Sequence, residues 1–299
     1  MRVFITGATG FLGYHIAVAC VNAGHDVLLL RRFSSHVLDI KHTLWVVQTD
    51  DNAWRQQVED FSPEVLIHTA WGGVAAGERN NAETQKANVE MTKGMYNLYP
   101  YKQIIALGSQ DEYGQYSECV DETHPLKPIS KYAKAKIECC NELGQLALRH
   151  PIEWQWIRVF SMYGERQQDN WLIPSIIRRC LRGERVMQTT LGEQQYSYLY
   201  AQDFAAAIVS IIGQQGKSGI YNIASKCPMK LRDVFEAVKK ACRSNIVFDR
   251  SLPYRENQTM VMLGSCSKFV NAFGEYEKTP FEQGLNNVIT YMKEHNEES

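Results

Sequence analysis

No stretch of the 299 residues approaches the about 18 consecutive apolar residues of a membrane-spanning helix. Residues 1 to 6 read as a strand and not as a charged leader ahead of a long apolar run. There is no excess of either charge: Lys and Arg number 32, Asp and Glu 33, and the formal net charge is -1. Gripping a phosphate backbone needs a broad basic surface, so a nucleic-acid role is excluded. The eight cysteines, at 20, 119, 139, 140, 180, 227, 242 and 266, include no CxxC pair. Cys139 and Cys140 are adjacent, which suits neither a disulfide ladder nor a zinc site. They read as small buried residues in a reducing compartment, and no metal site is expected. Internal repeats and low-complexity segments are lacking too. These absences leave a soluble, cytoplasmic globular protein. Its 44% hydrophobic and 22% charged residues suit an ordinary packed core. The length allows one large α/β domain or a domain with a smaller appendage.

Strand-like and helix-like patterns alternate from the start. Val3 to Ile5 is a short apolar strand, followed by a glycine-rich turn. Phe11 to Asn22 repeats apolar residues at helical spacing, Gly24 supplies the stop, and Val27 to Leu30 is a buried strand. Leu44 to Val47, Val65 to Thr69, Gln103 to Gly108 and Ile152 to Val159 read as further strands. Ala82 to Tyr99 and Ser130 to Leu148 read as helices between them. This succession predicts a doubly wound parallel sheet of Rossmann type over residues 1–162, with 198–225 returning to it. Residues 163–197 and 226–299 are expected to form a smaller, discontinuous lobe. A ligand would lie in its cleft with the carboxyl edge of the sheet.

Thr6 to Gly13 reads TGATGFLG, with Gly7, Gly10 and Gly13 spaced between a strand and a helix. Glycine is needed where the backbone turns tightly, where it approaches a pyrophosphate, and where helix meets strand closely. The helix amino terminus offers N–H groups and a partial positive charge to phosphates. The next strand ends at Leu30, and Arg31 and Arg32 follow where NAD-binding proteins usually carry an acid. They suit a 2′-phosphate and favour NADP(H) over NAD. Asp50 would follow the third strand, within reach of the adenine.

Tyr132 and Lys136 lie four residues apart on one helix face. A nearby ammonium favours the phenolate, so the phenol is expected to fall from about 10 toward neutrality. Such a group exchanges a proton with a carbinol or carbonyl oxygen while hydride moves. Ser109, at a strand end, would point at the same oxygen.

TGATGFLG, GSQDEYG at Gly108 to Gly114, Tyr132 with Lys136, and RVFSMYG at Arg158 to Gly164 together resemble the extended short-chain dehydrogenase/reductase family. That family holds sugar-nucleotide epimerases, dehydratases and 4-ketoreductases. The resemblance implies Ser109, Tyr132 and Lys136 as the catalytic trio. It implies cofactor contacts from the glycine turn, including Thr9, Phe11 and Leu12, and from Ala70, Trp71 and Ser161. It implies substrate contacts from Gln110 and Arg255, with Arg185 and Tyr196 as further candidates. Ser161 stands where the family often has Asn, and Tyr196 where it has a diphosphate-binding Arg. Trp71 replaces a small residue, and serves either as a packing aromatic or as a ligand contact. Homodimers through the two helices at 82–99 and 130–148 are common in the family.

Arg31 tilts the reading toward net reduction, since epimerases of the family generally keep and recycle NAD. The segment Ser109-Gln110-Asp111-Glu112 stands where dehydratases carry Thr-Asp-Glu. It is nearer to nucleotide-linked 4-keto-6-deoxysugar reductases. The expected activity is therefore NADPH-dependent reduction of an NDP-4-keto-6-deoxysugar at C4. An NAD-dependent 4-epimerase, or a non-catalytic NADP-binding scaffold, are the alternatives.

Overall fold

The first strand, β1 (Arg2–Thr6), is apolar on both faces. Val3 and Ile5 enter one hydrophobic core and Phe4 another, all fully buried. Successive strand residues face opposite ways, so a continuous apolar run requires cover on both sides. Helices supply that cover in the computed structural model, which describes residues 1–32, 40–48, 53–75, 77–256 and 258–295. The chain continues through α1 (Phe11–Asn22), β2 (Asp26–Arg32), β3 (Thr43–Gln48), α2 (Ala53–Phe61), β4 (Val65–His68) and α3 (Ala82–Tyr96). Then come β5 (Gln103–Ser109), a 3-10 turn at Gln110–Tyr113, α4 (Lys131–Arg149) and β6 (Glu153–Val159). Helix α2 is not anticipated from the sequence pattern, although Trp54 and Val58, four residues apart, form its buried face. Helix α3 stops at Tyr96, short of the expected Tyr99. Asn97 caps it and Pro100 follows closely.

After β6 the chain runs through β7 (Ser161–Tyr163), α5 (Leu172–Leu181), β8 (Val186–Gln188), β9 (Gln195–Tyr200), α6 (Ala201–Ile211) and β10 (Gly219–Ile223). The main sheet is wholly parallel, in the order β10-β6-β5-β4-β1-β2-β3. Strand order reverses between β1 and β4, which opens a crevice at their carboxyl ends. The core on one face joins α1 and α6; the other joins α2, α3 and α4.

The remaining elements are β11 (Pro228–Lys230), α7 (Leu231–Ala241), β12 (Val247–Asp249), β13 (Val261–Met262), α8 (Ser267–Phe273) and α9 (Phe281–Glu294). Strand β9 is central to a second sheet, flanked by β11 and β13 and paired also with β7. Tyr198 to Tyr200 therefore runs outside the main sheet, which the chain rejoins only through α6 and β10. Alternation along β9 identifies a strand but carries no information about its partners. Helices α5, α7 and α9 share a third core with Tyr163 and Tyr200. Among the described residues, no helix is long and apolar enough to cross a membrane. No group of three or more His, Cys, Asp or Glu is placed to hold a metal there either.

Candidate active site

Gly7 turns the chain out of β1 with φ +79, where a Cβ would stand 2.5 Å from Thr69 Oγ1 and 2.6 Å from the Ala70 nitrogen. At Gly13 a Cβ would come within 2.7 Å of both the Gly7 carbonyl carbon and Thr69 Oγ1. No other residue fits either position without moving the end of β4. Helix α1 starts at Phe11 with no side-chain cap and no acid in its first turn. Its positive end therefore has no counter-charge from its own first turn and can take an anionic group. Below the turn, Thr6 Oγ1 and His68 Nδ1 lie 2.8 Å apart, and His68 Nε2 and Thr92 Oγ1 3.0 Å apart. Burial lowers His68 to about 3, so this imidazole is neutral and ties β1 and β4 to α3.

Ser109 ends β5 and Tyr132 opens α4, whose first turn is capped by Ser130 accepting from the Ala133 N–H at 3.1 Å. The Tyr132 phenol and the Ser109 side chain line the same cavity, with the serine close enough to favour the phenolate slightly. Lys136 Nζ donates to the Leu107 carbonyl at 2.7 Å and lies 3.6 Å from the centroid of the Trp71 ring. Trp71 stands edge-on to Tyr132 at 6.0 Å and donates from Nε1 to Gln85 Oε1 at 3.0 Å. Trp71 therefore packs against Tyr132 and Lys136 and also faces the cavity.

The electrostatics differ from the sequence expectation. Burial raises the Tyr132 phenol well above its ordinary value, and the Asp111 carboxylate adds to this. The nearby Ser109 side chain and Arg79 pull more weakly the other way. Burial also pushes Lys136 down to about 7, so its charge is weakly held. An ammonium stabilises a phenolate only while it is itself charged, and here desolvation governs both groups.

Two quoted motifs meet through a buried ion pair. Glu112 Oε2 accepts from Arg158 Nε at 2.7 Å, with both side chains at most 2% exposed. Glu112 Oε1 accepts from the Ser109 N–H at 2.8 Å and from Trp156 Nε1 at 3.0 Å. Arg158 also donates to the Tyr113 hydroxyl, which donates to Asn222 Oδ1. GSQDEYG and RVFSMYG thus form one bonded network behind Ser109.

A cavity of about 760 Å³ runs from the glycine turn past Tyr132 into the second lobe. It brings together Gly7, Gly10, Phe11, Leu12, Gly13, Trp71, Ser109, Gln110, Tyr132, Lys136, Ser161, Tyr196 and Arg255. Thr9, Ala70, Arg31 and Arg32 lie outside it; Ala70 packs beside Gly7, and the two arginines end β2. Arg185 is exposed and is not among the residues lining the cavity; it lies just before the short strand β8. Asp50 lies outside the described residues. Tyr196 donates to the Thr259 carbonyl at 2.7 Å and accepts from Gln258 Nε2 at 3.2 Å, so its hydroxyl is engaged within the protein. Ser161 donates to Met262 Sδ at 3.0 Å.

Sequence reasoning missed Arg79, which forms an ion pair with Asp111 at the cavity wall. It also missed Thr189 and Gln194 in the second lobe. Thr189 is 5% exposed and its hydroxyl has no hydrogen-bond partner among the described residues, so it can take a polar group of a ligand. No motif marks these positions; only the folding of β8 and β9 around the cavity does.

Residues 3–224 match the model of the NAD dependent epimerase/dehydratase family. The chain is 24% identical over 310 residues to the GDP-6-deoxy-D-mannose reductase of Pseudomonas aeruginosa, covering 97% of this chain and 96% of that one. It is 23% identical over 311 residues to a putative UDP-glucose 4-epimerase of Methanocaldococcus jannaschii, covering 98% and 99%. The fold matches the Thermus thermophilus UDP-glucose 4-epimerase complex with NAD at a TM-score of 0.85 and 21% identity, covering 98% and 99%.

Proposed function

The chain belongs to the NAD dependent epimerase/dehydratase family, and we propose that it reduces an NDP-4-keto-6-deoxysugar at C4 with NADPH. The observation that carries this reading is the Tyr132 phenol. It is buried beside Ser109 on a cavity that reaches the glycine turn, and its burial favours the protonated form. A protonated phenol is a general acid, which is what a carbonyl oxygen needs as it becomes an alkoxide. Tyr132 gives its proton to O4, and Ser109 hydrogen-bonds the same oxygen. Glu112 fixes the backbone of Ser109. Lys136, held by the Leu107 carbonyl and the Trp71 face, keeps the helix turn and the aromatic wall in register. The nicotinamide cofactor, when bound, supplies the hydride to C4.

Gly7, Thr9, Gly10, Phe11, Leu12 and Gly13, with Ala70, Trp71 and Ser161, are assigned to the cofactor. Arg31 and Arg32 end the strand next to β1 and suit a 2′-phosphate, which favours NADP(H) over NAD. Gln110, Tyr196 and Arg255 are assigned to the nucleotide sugar. The Rossmann part then covers residues 1–162 and the return through α6 and β10, and the rest forms the substrate lobe. The outer faces of α3 and α4 are the surfaces for a homodimer, and the cytoplasm is the compartment.

Purified protein mixed with NADPH and NDP-4-keto-6-deoxysugars should consume the cofactor, with weaker use of NADH. A 4-epimerase is the second reading, favoured by the Methanocaldococcus jannaschii relative and the NAD-bound Thermus thermophilus neighbour. Protein that carries tightly held NAD and interconverts C4 epimers without net cofactor consumption would replace the reductase with the epimerase.

A further inference from the structure

Beside the Tyr132 phenol the cavity wall carries an ion pair that the chemistry above leaves unused. Arg79, in the segment between β4 and α3, donates from Nη1 to Asp111, in the turn after β5. Gln110 Nε2 donates to the other carboxylate oxygen. The side chains are 30% and 16% exposed, and both line the cavity. Arg79 Nε also donates to the Val74 carbonyl at 2.9 Å. The Arg79 carbonyl accepts from the Tyr132 N–H at 2.9 Å, and Asn80 Oδ1 accepts from the Lys131 N–H at 3.1 Å. The guanidinium carbon lies 5.3 Å from the Tyr132 ring centroid. This segment is therefore fastened to the first turn of α4 at the residue that carries the phenol.

Four charged groups act on that phenol from the elements packed around it. Asp111 and Glu112 come from the turn after β5, Arg79 from the segment before α3, and Lys136 from α4 itself. Glu112 is matched by Arg158 in a buried pair. Lys136 is turned onto Trp71 and the Leu107 carbonyl. Asp111 and Arg79 remain as the opposed charges, one disfavouring the phenolate and the other favouring it.

We propose that Arg79 and Asp111 are a positioning pair for Tyr132: the Asp111 carboxylate keeps the proton on the phenol, and Arg79 fixes both the carboxylate and the ring. The pair deepens the reading of Tyr132 as a proton donor, on which it rests. It makes the resting site an acid, poised for a substrate that needs a proton on its oxygen.

The test is a ¹⁹F NMR titration of the full chain containing fluorinated tyrosine, whose phenol is more acidic than tyrosine itself. Tyr132→Phe identifies the resonance among the 15 tyrosines. Asp111→Asn is expected to move the Tyr132 ionisation to lower pH by about one unit or more. Arg79→Met is expected to move it to higher pH, and Asp111→Glu to restore the wild-type position. Thermal unfolding checks each variant. If Asp111→Asn does not fold, Arg79→Met and Asp111→Glu decide the question between them. An unmoved ionisation, or shifts of the same sign in Asp111→Asn and Arg79→Met, overturns the proposal. The titration needs no substrate. Opposite shifts in a protein that reduces no keto-sugar nucleotide would leave the pair standing and remove the reductase. In an active protein, Asp111→Asn should lower kcat at alkaline pH at an unchanged KM, as the phenol loses its proton earlier.

Discussion

Burial lowers Lys136 from its ordinary 10.5 to about 7, so the folded state carries a desolvation cost wherever the lysine is charged. Below about pH 7 both folded and unfolded chains hold the proton and the cost is complete. Between about 7 and 10.5 the folded lysine releases its proton while the unfolded one keeps it, so stability from this group rises with pH. Lys136→Met should therefore be most stabilising, relative to wild type, below pH 7, with the gap narrowing toward alkaline pH. Urea unfolding across that range checks it, and a constant gap would rule it out. The same variant removes the cation from the Trp71 face and should weaken cofactor binding. Tyr132→Phe has a different signature: a loss of about 10²- to 10⁴-fold in kcat, with cofactor affinity unchanged by fluorescence titration. Glu112→Gln leaves Arg158 buried without its counter-charge. It should cost about 3–5 kcal/mol in denaturant unfolding, because the guanidinium cannot reach water. Little loss of stability would place water in that network.

At the scale of elements, the strand–turn–helix unit of β1 and α1 explains why three glycines suffice as a signal. Gly7 needs its positive φ, and Gly13 needs the absence of a side chain where α1 crosses the end of β4. Gly13→Ala should lift α1 from the turn and reduce cofactor affinity at least tenfold by calorimetry, with the sheet intact by circular dichroism. Unchanged affinity would show that the diphosphate does not use this turn. The turn after β5 has less obvious logic. Ser109, Asp111 and Glu112 are close in sequence, yet Ser109 and Asp111 face the cavity while Glu112 is buried against Arg158 and Trp156. Along the chain Asp111 and Glu112 look equivalent; a 3-10 turn separates their roles by direction.

At the scale of the whole molecule, the glycine turn shares one cavity with Thr189, Gln194 and Arg255 of the second lobe. Cofactor and nucleotide sugar should thus bind together. NADP(H) with a nucleoside diphosphate is expected to raise the melting temperature more than either alone, each saturating ligand contributing about 2.7 kcal/mol at a hundredfold excess over its Kd. Displacement of one ligand by the other would break this picture. The parallel sheet, the glycine turn and the Tyr132–Lys136 pair follow from the sequence by itself. Their signals are local: buried strands must be apolar throughout, a tight turn must have glycine, and a four-residue spacing fixes one helix face. The neighbours of those groups were decided only by tertiary structure. Placing Arg79 against Asp111, Glu112 against Arg158, and β9 outside the main sheet depends on contacts between segments distant in sequence. So does the protonation of Tyr132 and Lys136, because the cost of burying a charge is set by what surrounds it and not by what adjoins it along the chain.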